Sequence, residues 1–150
     1  MKKFQFTLQP LYKYKLTVEK LQKAELRKAQ QALRELLEEE ERLLRAYAGN
    51  EQSLERALRE NINVGMALSE HDVFFRFLRD ALKEIRSRII EAEELVRQCQ
   101  ELLIITMKEL KTYIKLRNEQ YGEYMKEVQI EEDKNMSDLV SFNTINEEIS

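Results

Sequence analysis

Between residues 77 and 124 an apolar residue returns at every seventh position. Leu82, Ile89, Val96, Leu103 and Leu110 make one series, and Leu78, Ile85, Ala92, Cys99, Thr106 and Tyr113 make the other. Two interleaved series held over roughly five heptads define a helix under-wound to about 3.5 residues per turn, with one stripe kept against a partner helix. The stripe is narrow. The rest of the chain must supply its partner or attach it to something else.

The composition agrees with long helices. Charged residues make up 35% of the 150-residue chain, which has only three Gly and one Pro, and no alternating β-branched run is bounded by turn residues. These features predict an all-α chain. Pro10 favours the first turn of a helix and keeps Gln9 extended, so helix 1 is placed at about 10–61, after a short leader that contains Phe4, Phe6 and Leu8. Leu11, Tyr14, Val18 and Leu21 keep a three-four spacing. Leu26, Ala29, Leu33, Leu36, Leu43, Tyr47 and Leu54 resume it one step out of phase, which predicts a stutter between Val18 and Ala29. Glu40 falls on the seam as one poorly packed layer.

Gly49-Asn50 predicts a bend in helix 1 rather than a stop, because a mid-helix glycine costs only about 1 kcal/mol. The turn is placed at about 62–71, with Gly65 as the left-handed cap and Ser69 as the next N-cap. Helix 2 follows at about 72–133 and tolerates Gly122. Residues 134–150 lose periodicity and read as a frayed tail. A connection this short forces an antiparallel pair, so the expected fold is one coiled-coil domain over 1–150, two long helices in a hairpin.

Several function classes are disfavoured. The net charge of −3 exerts little pull toward nucleic acid. Cys99 is the only cysteine and falls on the seam, as a small buried hydrophobe would in a reducing compartment. Residues 4–10 are too polar for the apolar core of a signal peptide, and the longest aliphatic run, 102–105, is far short of a membrane span. A cytoplasmic protein is expected, reaching a membrane only through a partner. His71 is the only histidine, so no metal site, no catalytic residue and no cofactor is assigned, and the chain is expected not to be an enzyme.

Three features remain. Lys2, Lys3, Lys13, Lys15, Lys20, Lys23, Arg27 and Lys28 are interleaved with Phe4, Phe6, Tyr12 and Tyr14, a pattern that can bind nucleic acid. An antiparallel helix 2 would bring Glu119, Glu123, Glu127, Glu131, Glu132 and Asp133 alongside and offset it, so no nucleic-acid partner is assigned. Phe74, Phe75 and Phe77 cannot all face one narrow seam; the surplus is either a protein-binding patch or a local cluster at the turn. Tyr113, Tyr121 and Tyr124 read as core packing.

The leader Phe4-x-Phe6-x-Leu8-Gln9-x-Leu11, the long charged helix, the turn containing Gly65 and the opening Phe77-Leu78-x-x-Ala81-Leu82-x-x-Ile85 together resemble the FliJ family of the bacterial flagellar type III export apparatus. Asn135-Met136-Ser137-Asp138-Leu139 stands where that family often carries an Asp-Glu pair, with Leu139 in place of Glu. Related injectisome stalk proteins share the pattern. The resemblance implies a stalk similar to the coiled coil of the rotary ATPase γ subunit, docked in the ring of the hexameric export ATPase. It further implies binding to the cytoplasmic domain of the export gate and to export chaperones. By the same resemblance Leu44, Tyr47, Phe77, Ala81 and Arg88 are the expected partner-binding residues. A structural coiled coil that homo-oligomerises is the alternative, followed by a nucleic-acid-binding hairpin.

Overall fold

The structure, a computed structural model, describes residues 2–60 and 63–149. It contains two helices, α1 (Gln9–Glu60) and α2 (Val64–Ile149). The chain falls into two compact units, Met1–Lys20 with Ile104–Ser150, and Leu21–Leu103. In both, α1 and α2 run antiparallel. Tyr12 meets Tyr113 and Lys15 meets Glu109 in the first. In the second, Glu40 meets Arg86, Tyr47 meets Phe75 and Asn50 meets His71.

The α2 seam is the one its periodicity predicts. Leu78 (2% exposed), Leu82, Ile85, Ile89, Thr106 and Leu110 are buried. The other members of both series are at least half-buried. On α1, Leu26, Leu33, Leu36, Leu43, Tyr47 and Leu54 are half-buried and Ala29 is buried, again as spaced.

The expected stutter is absent. Leu11, Tyr14 and Leu21 are exposed, Tyr14 by 63%, and of that expected stripe only Val18 is half-buried, whereas Tyr12, Lys15, Glu19 and Gln22 take the inward positions that lead on to Leu26. Their spacing leads into Leu26 and Ala29 without a change of phase. The cause is the partner: α2 keeps an unbroken heptad from Leu78 to Tyr113, so a phase shift in α1 alone would carry its stripe off that seam. Lys15 is tolerated there because its apolar stem covers the seam while its head reaches Glu109 at 2.5 Å, whereas the Gln22 side-chain oxygen is buried without a hydrogen-bond partner.

The turn also differs. The left-handed residue is Asn63 (φ 42°), no described glycine has positive φ, and Gly65 lies inside α2. Asn is among the few side-chain-bearing residues that adopt this conformation readily. The Asn63 carbonyl accepts the Ala67 N–H at 2.9 Å, so α2 starts well before Ser69 and Asp72. Asn61, the expected last residue of helix 1, and Ile62, the expected first residue of the turn, lie outside the described residues. α1 runs through Gly49, where an added Cβ would meet nothing. At the other end α2 continues to Ile149 instead of fraying after 133, because no Gly or Pro follows Gly122 to stop it. Every described residue from 129 onward is exposed.

Candidate interaction surfaces

Around the hairpin, α2 divides its aromatic residues between two directions. Phe75 turns to α1 and meets the Tyr47 ring at 4.8 Å. Phe74 and Phe77, one turn apart, stack on the outside at 6.4 Å and 14°, with Phe77 63% exposed. This division is what the 100° step per residue requires.

The seam fixes where the residues implied by the resemblance lie. Tyr47 is in it. Phe74, Ala81, Arg88 and Leu95 recur every seven residues along one edge of α2. The matching edge of α1 contains Glu25 and Ala32, and Glu25, Ala32 and Leu95 line one groove with Ala29 and Cys99. Ala81 is half-buried there, and Arg88 is exposed with its guanidinium on Glu84 at 3.2 Å. Leu44 is exposed and belongs to the opposite edge of α1, in line with Leu37 and Leu58. Phe77 and Ala81, one turn apart on α2, therefore share a surface, Tyr47 lies in the seam against Phe75, and Leu44 is on the opposite edge of α1.

Behind the aromatic residues is a polar joint. Asn50 is buried and its Nδ2 donates to the His71 backbone carbonyl at 3.2 Å. His71 Nδ1 lies 2.7 Å from the Ala67 carbonyl, which only a protonated nitrogen can satisfy, and Nε2 lies 3.3 Å from the Ser53 hydroxyl. This spacing could suit a base and a nucleophile, but the other ring nitrogen is committed to a backbone carbonyl rather than a carboxylate. The joint ties α1 to α2. Among the described residues no group of three or more His, Cys, Asp or Glu could hold a metal ion.

In the unit with the chain termini, the leader packs on α2. Phe6 is buried, and Phe4 meets Tyr121 edge-on at 5.2 Å and Tyr124 at 5.5 Å. Tyr113 and Tyr124 are half-buried, but Tyr121 is exposed, so only part of the tyrosine set is core. Sequence reasoning missed the leader contact, although its signal was present as paired aromatic residues in the leader and late in α2.

Charge along the helices is arranged mainly in local pairs. A hydrogen bond from Arg97 and its nearby charge hold the Glu94 carboxyl below the usual range, and Arg97 also pairs with Glu101. The hydrogen bond to Glu109 raises Lys15 above its ordinary value. Among the described residues no helix is long and apolar enough to cross a membrane.

An antiparallel pair of long helices, closed by a heptad seam and carrying exposed aromatic residues beside its turn, defines a coiled-coil hairpin protein. The family model for the flagellar FliJ protein matches residues 4–148. The chain belongs to the FliJ family and is a component of the flagellar protein export apparatus. Comparisons with curated proteins and with solved structures give no match.

Proposed function

We propose that this protein is a non-enzymatic cytoplasmic stalk and general chaperone of the export apparatus, one that docks in the export ATPase ring, promotes its assembly and links it to the export gate. The observation that carries this reading is the seam closed by the chain's own two helices. It leaves the exposed surfaces of the two helices as the means of acting on partners. In this reading the unit holding the termini enters the ring. The hairpin unit meets the gate through Phe77 and Ala81, with Tyr47 supporting them from the seam and Leu44 and Arg88 as further contacts.

The test is the ATPase rate and sedimentation profile of the cognate export ATPase, with this protein added well below one copy per ATPase subunit. Ring assembly and a raised rate are expected at such ratios. No change while the protein is folded and monomeric would eliminate the stalk role and favour a structural coiled coil. For the gate, Phe77→Ala should weaken binding without altering thermal stability, since the ring is exposed. Binding equal to wild type would remove Phe77 from the surface.

A further inference from the structure

Residues 2–7 lie along one strip of α2 and are held at three kinds of contact. The Phe4 ring sits between Tyr121 and Tyr124. The Tyr124 hydroxyl donates to the Lys2 backbone carbonyl at 2.9 Å. The Gln120 side-chain amide donates to the Thr7 hydroxyl at 3.0 Å. A ring notch, a main-chain anchor and a polar anchor together hold a short extended peptide, with specificity in the notch.

Beside the notch is an open cleft of about 800 Å³, bordered by Lys2 and Lys3 on one side and by Glu123, Glu127 and Glu131 on the other. The three glutamates stand one turn apart on one face, where like charges repel. Among the described residues no ion pair joins any of them to Lys2 or Lys3, so the leader fills the aromatic notch and leaves the carboxylates unpaired. A peptide with more basic residues ahead of its aromatic pair would fill both.

We propose that this strip of α2 is a docking site for an extended segment of another protein, a basic run followed by aromatic-x-aromatic, and that the chain's own leader occupies it as a displaceable placeholder. The inference does not rest on the stalk reading. Charge complementarity selects the partner: the acidic row favours basic residues that the leader does not bring within pairing distance. Occupation by the leader lowers the apparent affinity by the fraction of time the strip is free, so loosening the leader strengthens partner binding.

The probe is a fluorescein-labelled peptide of residues 2–9 preceded by three added lysines, titrated by anisotropy into the full chain. Binding should weaken as salt rises. In the protein, Phe4→Ala should tighten binding about tenfold by freeing the notch, and Tyr124→Ala should abolish it. Glu123→Gln, Glu127→Gln and Glu131→Gln combined should preserve helicity and remove the salt dependence, which keeps the test open if Tyr124→Ala unfolds. Three results overturn the proposal: no binding to any form, no tightening with Phe4→Ala, or unchanged salt dependence in the triple variant. A wild-type dimer that dissociates on Phe4→Ala also overturns it, because the occupant would then be the leader of a second copy.

Discussion

Asn50 occupies a seam position that an aliphatic side chain would fill with a greater gain from burial. It instead directs its amide at the His71 carbonyl. A single buried Asn in a coiled coil lowers stability and specifies register. Asn50→Leu is therefore expected to raise stability by about 1–2 kcal/mol in urea melts and to produce species larger than wild type in sedimentation. A less stable variant would show that the hydrogen bond outweighs the added apolar burial. Lys15 makes a second residue-scale case. Its hydrogen bond to Glu109 raises its pKa above 10.5, so it binds its proton more tightly folded than unfolded. Its contribution is complete below pH 10.5 and is lost as pH rises through the folded value. Lys15→Met should remove that alkaline loss from the melting profile.

At the scale of the element, α1 shows how a partner overrides local apolarity. Leu11, Tyr14 and Leu21 are spaced like a seam, but α2 determines the phase, and Lys15, Glu19 and Gln22 take the inward positions. Two substitutions separate the alternatives. Leu21→Ser should leave stability within about 0.5 kcal/mol, while Leu26→Ala, on the packed stripe, should cost about 1–3 kcal/mol in chemical denaturation. A large loss at Leu21 would restore the stutter. The turn obeys the same logic of competing local solutions: Gly65 looked like the natural left-handed residue, but Asn63 takes that conformation and α2 begins at once. The extension of α2 to Ile149 shows that loss of apolar periodicity ends packing before it ends a helix.

For the whole molecule, the decisive property is that one chain contains both sides of its seam. A chain that completes its own seam unfolds without changing molecularity. Its melting midpoint should therefore stay constant over a hundredfold range of protein concentration, with a monomer mass in sedimentation. A midpoint that climbs with concentration would favour the homo-oligomeric coiled coil. With the seam satisfied internally, Phe74 and Phe77 remain exposed on the outside of α2.

The heptad along 77–124 by itself determined that this protein is helical, that α2 buries a two-position stripe and that Leu78, Leu82, Ile85 and Ile89 form the core. Periodicity is a property of one strand of sequence and needs no knowledge of the partner. It also required some of Phe74, Phe75 and Phe77 to face outward, since adjacent helical positions diverge by about 100°. Tertiary structure alone decided which residues of α1 answer that stripe, where the left-handed residue of the turn falls, and that Leu44 lies on the opposite edge from Phe77 and Ala81. It alone brought Phe4 to Tyr121 and Tyr124. Each of these depends on register between distant parts of the chain, and register is set by the sum of many weak contacts that no local pattern records.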